Sequence, residues 1–258
     1  MCIRDRDKNQ ILDKLKKINY PGFNRDIVSF GMVKDVVIDQ STITIILAIS
    51  SSNEEKKNQL VQEISDNIKK CIYKKLDLSE HENLEKLSLP FNDINTLVCS
   101  QGIVAYNQKE FEMETFKKVV DLNLNSVMAS CTFFHQNLSK NNGSIVIIGS
   151  GASFHAVRGN PAYSASKGGL LTLIKTLAEA WARDGIRVNG IAPGYVATKL
   201  TEVTFGNEKR YENSLKSIPL RRWGSPEDMG EVCCFLSSEE ASYVTGQMLT
   251  VDGGMSLS

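Results

Sequence analysis

Four short apolar runs, INTLVCS (94–100), SIVIIGS (144–150), IRVNGIA (186–192) and QMLTVDG (247–253), recur through the chain with helical stretches between them. A run that is apolar on both faces cannot lie on a solvated surface, so each must be covered above and below. Strands that alternate with helices meet this demand as a parallel sheet with helices packed on both faces. The helical stretches fall at about 110–138, 161–183, 201–216 and 226–237. The last is marked by Ser225 as cap, Pro226 at its first position and Glu227-Asp228 at the positive end of the helix dipole.

Before about residue 76 the pattern differs. Ile11, Leu12, Leu15 and Ile18 share one helical face, which Pro21-Gly22 closes. VKDVVID (33–39) and TITIILAIS (42–50) predict a hairpin around a tight Asp39-Gln40-Ser41 turn. Ser52 and Glu55 form a capping box ahead of a helix with Leu60, Val61, Ile64 and Ile68 on one face, and CIYKKLDL (71–78) predicts a further strand. The expected α/β architecture is therefore a small α-β-β-α-β domain over 8–75, then a partial Rossmann-like parallel sheet with flanking helices over 76–258. The opening MCIRDR follows no structural pattern, and residues 1–7 are expected to be an artefactual tail.

Charge narrows the partners. Thirty basic residues balance thirty acidic ones, so no net field draws the chain to nucleic acid or an anionic membrane. The densest apolar run, 43–49, is far short of the roughly 20 residues that cross a bilayer. The first residues are charged throughout, unlike a secretory signal. Six cysteines without CxxC spacing predict buried, reduced thiols in a cytoplasmic protein and no metal site.

Chemistry concentrates in YSASKGG (163–169). On a helix, Tyr163 and Lys167 lie side by side at i and i+4. A phenol titrates near 10, and a neighbouring ammonium favours its anion, which predicts a tyrosine tuned to exchange a proton with an alcohol or carbonyl oxygen. Spacing alone does not select this pair, because Tyr195 and Lys199 repeat it in a chain of seven tyrosines. Context does. Thirteen residues before Tyr163 stands Ser150, at the end of an apolar strand; thirteen before Tyr195 stands Ala182. Open parallel sheets bind ligands at their strand carboxyl ends, so Ser150 is expected to meet Tyr163 at a substrate oxygen.

These residues, with DLNLNSV (121–127), SIVIIGSGAS (144–153), YSASKGGL (163–170), RVNGIAPGYVAT (187–198) and the stretch from Pro219 to Gly254, resemble the short-chain dehydrogenase/reductases, above all the 3-oxoacyl-carrier-protein reductases. The resemblance implies an oxidoreductase that interconverts carbonyl and alcohol on a small molecule with NAD or NADP. It implies Tyr163 as proton donor or acceptor, Ser150 holding the substrate oxygen, Lys167 binding the nicotinamide ribose and lowering the tyrosine pKa, and Asn123 organising a water relay. Pro193, Gly194, Val196 and Thr198 would cradle the nicotinamide carboxamide, and Asp77 with Leu78 would contact adenine. The same resemblance implies a homo-oligomer.

Two features depart from that family. Its TGxxxGxG turn is missing, since Gly22 and Gly31 are the only glycines before Gly102, so the first βαβ unit is expected to be absent. CSQG (99–102) also stands where the family has NNAG, whose first asparagine ties the central strands. The amino-terminal segment ILDKLKKINYPGFNRDIVSFGMVKDVVIDQSTITIILAIS instead resembles the small domain of Mrp-type iron–sulfur carriers, without the cysteine that often follows its second strand. Loss of the first βαβ unit would bare an apolar sheet edge. The expectation is a truncated or joined gene, with a non-catalytic remnant or an iron–sulfur assembly module as the alternatives to an active oxidoreductase.

Overall fold

The computed structural model describes residues 8–19, 26–29, 32–39, 42–47, 59–60, 64, 76–87 and 94–257. The chain divides into two compact units, Met1–Lys75 and Leu76–Ser258. In the first, helix α1 (Lys8–Leu15) turns Ile11 and Leu15 inward, and Ile18 follows them; all three are buried with Ile27, Met32, Leu60 and Ile64. Strands β1 (Val33–Asp39) and β2 (Thr42–Leu47) pair antiparallel with Asp39 opposite Thr42. Residues 59, 60 and 64 are helical. Pro21-Gly22, the Ser52/Glu55 capping box, Val61, Ile68 and residues 71–75 of the expected strand lie outside the described residues.

The remainder of that expected strand is not one. Asp77 Oδ1 accepts from the Ser79 backbone N–H (3.0 Å) and hydroxyl (2.7 Å), and the chain passes into the 3-10 turn His81–Asn83. The carboxylate satisfies its own backbone locally, which favours a turn over ladder pairing.

The second unit holds the parallel sheet. Strands β3 (Thr96–Cys99), β4 (Ser144–Ile148), β5 (Arg187–Pro193) and β6 (Met248–Val251) lie in the order β3-β4-β5-β6. Period-two alternation sends Ile145 and Ile147 to one face and Val146 to the other. On the first face they pack against Val127, Cys131 and Leu138 of α3 (Ser126–Lys140) and Leu170 and Ile174 of α4 (Pro161–Trp181). On the second, Val146 and Ile191 meet Leu236 of α7 (Pro226–Ser237). Ahead of α3 run α2 (Met113–Val120) and a π-helical turn, Asp121–Asn125; after β5 come α5 (Glu202–Phe205) and α6 (Glu208–Lys216). The expected single helix at 201–216 is thus broken, at Gly206 and Asn207, where Asn207 recaps the chain through the Arg210 N–H.

Cys99 ends β3, at the place of the family's strand-tying asparagine. Its thiol hydrogen-bonds that of Cys131, which together with burial pushes the Cys131 thiol far above its ordinary value. Two amphiphilic thiols in an apolar layer replace an amide network there. Gln101 supplies a second tie, to the Ser126 hydroxyl at 3.2 Å. The expectation of buried thiols fails at Cys234, which is exposed on α7. Among the described residues β3 pairs only with β4, and Val98 on it is 43% exposed.

Candidate active site

At the carboxyl edge of the sheet Ser150, Tyr163 and Lys167 come to one place, whereas Asp77 and Leu78 are not brought together with them. Ser150 follows β4 with extended backbone, and its Oγ accepts from the Ala152 N–H at 3.2 Å, which fixes the side chain and leaves its own hydrogen to donate. Tyr163 and Lys167 come from the first two turns of α4. The Lys167 ammonium stands 5.8 Å from the centre of the Tyr163 ring and donates to the Ile148 carbonyl, the last of β4, at 2.8 Å.

The tuning of this pair differs from the expectation. Burial pushes the Tyr163 hydroxyl above its ordinary 10; a hydrogen bond from Ser150 opposes that, and the charges of Tyr106 and Glu110 add to it. The ammonium stands over the ring, and desolvation prevails. Burial acts on Lys167 too: at 4% exposure its pKa falls from 10.5 to about 8. The phenol is therefore an acid at neutral pH, and the lysine is close to its own titration.

Asn123 is fully buried inside the π-helical turn. The extra residue of such a turn redirects a side chain that a regular helix would aim elsewhere. Its Oδ1 accepts from Ile103 N at 2.8 Å, and its Nδ2 donates to Ile103 O at 2.9 Å and to the Ser166 hydroxyl at 3.2 Å. This two-handed grip holds the loop after β3 against α4. Gly102 in that loop lies beside both groups: a Cβ there would stand in ordinary contact, 3.5 Å from Asn123 Oδ1 and 3.6 Å from Lys167 Nζ.

The loop after β5 leaves the neighbouring parallel strand at the same sheet edge. Pro193 ends the strand, and Gly194 is required by the approach of Asp252, whose Cα and Cβ would stand 2.9 and 2.7 Å from any Cβ at 194. Val196 is buried and bridges to Gly224. Thr198 is exposed, with its N–H bonded to Thr201 Oγ1 at 3.1 Å. Thr201 also donates to the Val196 carbonyl at 2.5 Å, so one hydroxyl shapes the whole turn. Tyr195 stacks on Trp223 at 4.9 Å, a packing contact. Asp77 and Leu78 sit in the turn ahead of His81–Asn83, with Asp77 engaged by Ser79.

Three contributors had no signal in the sequence. Tyr106 donates to the Leu200 carbonyl at 2.7 Å and thereby joins the loop after β3 to the segment after β5. Glu110 is fully buried against the start of α4, and Asn160 bonds the Ala105 carbonyl at 3.1 Å. All three act through partners roughly 50 to 90 positions away.

The donor set fits a nicotinamide nucleotide at one end. A buried ammonium with Ile148 O as acceptor keeps further N–H donors for the hydroxyls of a ribose, beside a phenol and a hydroxyl that can share one substrate oxygen. At the other end, no glycine-rich phosphate turn stands in the sequence.

Residues 44–256 match the family described as enoyl-(acyl carrier protein) reductase, and residues 8–72 match that described as iron-sulfur cluster assembly protein. The 2-dehydro-3-deoxy-D-gluconate 5-dehydrogenase of Bacillus subtilis is 38% identical over 184 residues, which span 69% of this chain and 72% of that one. The 3-oxoacyl-[acyl-carrier-protein] reductase of Rickettsia conorii is 36% identical over 217 residues, 80% of this chain and 85% of the other. Among solved structures, a gluconate 5-dehydrogenase from Burkholderia cenocepacia, in complex with NADP and tartrate, superposes with a TM-score of 0.70 at 28% identity, covering 81% of this chain and 84% of its own. The ligand-free aldohexose dehydrogenase of Thermoplasma acidophilum does so with a TM-score of 0.68 at 26% identity, covering 78% and 88%.

Proposed function

The chain belongs to the short-chain dehydrogenase/reductase family of NAD(P)-dependent oxidoreductases, and on that premise we propose that it reduces a carbonyl on a small molecule, with Tyr163 as the proton donor. The convergence of Ser150, Tyr163 and Lys167 at the carboxyl edge of the sheet carries this reading. The nicotinamide cofactor, when bound, supplies the hydride for the carbonyl carbon. Tyr163 gives its hydroxyl proton to the carbonyl oxygen as negative charge develops there. Ser150 donates its free hydrogen to the same oxygen, and Lys167 holds positive charge over the ring that is becoming a phenolate. Asn123 keeps the loop after β3, with Gly102, against the lysine. Pro193, Gly194, Val196 and Thr198 border the nicotinamide, and Asp77 with Leu78 serve the adenine end.

A tyrosine held protonated favours reduction over alcohol oxidation at neutral pH. The relatives that act on sugar acids and on carrier-bound 3-oxoacyl groups both handle a ketone beside oxygen functions, which is the substrate class we assign. We place the protein in the cytoplasm as a homo-oligomer through α2–α3 and α4, with no nucleic-acid partner. No helix among the described residues is long and apolar enough to cross a membrane.

The test is reduction of a 3-oxoacyl thioester and of a keto sugar acid, with NADPH raised into the millimolar range, by the native chain and by Tyr163→Phe. Loss of about 100-fold or more in kcat for the variant is expected. Equal turnover by the two proteins would end the assignment.

A further inference from the structure

The proton chemistry leaves one carboxylate unused, fully buried at the start of α4. Glu110 lies in the 3-10 turn Lys109–Phe111. Its Oε1 accepts from the Ala105 backbone N–H at 2.9 Å and from Asn160 Nδ2 at 3.2 Å; its Oε2 accepts from the Tyr163 backbone N–H at 2.9 Å. Tyr163 is the third residue of α4, one of the positions whose N–H no carbonyl within the helix can reach. Asn160, at the cap position, makes no side-chain cap bond. Glu110, 53 residues upstream, therefore does what a capping side chain does, and sets a negative charge at the positive end of a 21-residue helix.

We propose that Glu110 is a positioning residue for the proton-transfer tyrosine: its ionised carboxylate locks the first turn of α4 to the loop after β3 and so fixes where the Tyr163 hydroxyl stands against Ser150. This rests on the assignment of Tyr163 as proton donor. Three donors and no acceptor converge on the two oxygens, an arrangement that suits a carboxylate anion, which only accepts, and leaves an acid proton no partner among them. Glutamine would turn an NH2 group toward one of the N–H donors. The same residue touches three parts of the site, because the Ala105 loop also carries Tyr106, which reaches across to Leu200.

The groups that face Tyr163 are Ser150, Tyr106, Glu110 and, over its ring, Lys167. The Glu110 charge raises both phenols, Tyr163 and Tyr106, each behind the larger effect of burial. A neutral side chain in the place of Glu110 would exert no such charge on Tyr163.

The test follows the full chain with carbon-13 at the tyrosine ring, read by NMR across the alkaline range, with Tyr163→Phe to assign the signal. In Glu110→Gln, folded by circular dichroism, Tyr163 is expected to titrate at lower pH than in the native protein. In Asn160→Ala, which removes one donor and keeps the charge, it should titrate near the native position. A folded Glu110→Gln protein with unshifted Tyr163 overturns the proposal. Should that variant not fold, the native protein decides by amide hydrogen exchange. The Tyr163 amide should exchange about tenfold or more slowly than that of Thr115, the matching position of α2, whose helix start has no side-chain cap. Equal protection, corrected for intrinsic rates, would overturn it as well. Neither readout uses turnover, so this proposal and the assignment of Tyr163 fail separately.

Discussion

A lysine side chain is almost never buried without a compensating charge, yet Lys167 is 4% exposed and its ammonium is held by a carbonyl, that of Ile148. Burial brings its pKa to about 8 in the folded chain, against 10.5 when unfolded. Between those values the unfolded chain binds more protons, so this residue makes stability rise with pH from about 8 to 10.5; below 8 the ammonium is charged in both states and its burial cost is constant. That cost is on the order of 3 kcal/mol. Tyr163, pushed the other way, subtracts stability only above its ordinary 10. Replacement of Lys167 by methionine should therefore stabilise the protein at neutral pH and flatten the rise between 8 and 10, as measured by urea unfolding at several pH values. An unchanged pH slope would mean that the ammonium is hydrated in solution. The site thus sacrifices stability for a cation beside a phenol, as functional sites commonly do.

At the level of elements, α7 shows how much a short sequence can dictate. The Ser225 Oγ accepts from the Asp228 N–H at 3.3 Å while Asp228 Oδ2 accepts from the Ser225 N–H at 2.7 Å, and Pro226 fits the first helical position. Arg222 clasps the same carboxylate with two bonds, of 2.7 and 2.8 Å, and holds it well below the usual carboxylate range. Ser225→Ala should cost about 1 kcal/mol, seen as a lower midpoint of denaturation with an unchanged slope. An unshifted midpoint would leave the Arg222–Asp228 pair as the determinant. This helix, the four strands and the pair on α4 were legible because each depends on neighbours within a turn or on an apolar period. Tyr106, Glu110 and Asn160 were not, because each works through a partner far along the chain and none repeats with a period. The π-helical turn escaped for a related reason: DLNLN reads as ordinary helix, and only the two bonds from Asn123 to Ile103 reward the extra residue. The tyrosine's proton affinity differs from the expectation because sequence shows the ammonium's spacing but not the depth of burial.

For the molecule as a whole, the decisive quantity is how tightly the unit that carries Tyr163 and Lys167 can hold a dinucleotide. At the end we assign to the nicotinamide stand an ammonium, a phenol and the turn from Pro193 to Thr198, shaped by Thr201. The pyrophosphate has no glycine turn to approach, since only Gly22 and Gly31 precede Gly102 in the chain of 258 residues. In this family such a turn at a helix start offers backbone and charge-assisted hydrogen bonds, each worth about 0.5–3 kcal/mol. Loss of two or three weakens binding by roughly 3–5 kcal/mol, or about two to four decades. The polypeptide should therefore bind NAD(H) and NADP(H) no better than millimolar, and its turnover at ordinary cofactor levels should be negligible even with Ser150, Tyr163 and Lys167 in place. Calorimetric or fluorescence titration of the purified chain with each reduced cofactor measures this directly. A dissociation constant in the low micromolar range would refute it and would require a phosphate site built from other residues.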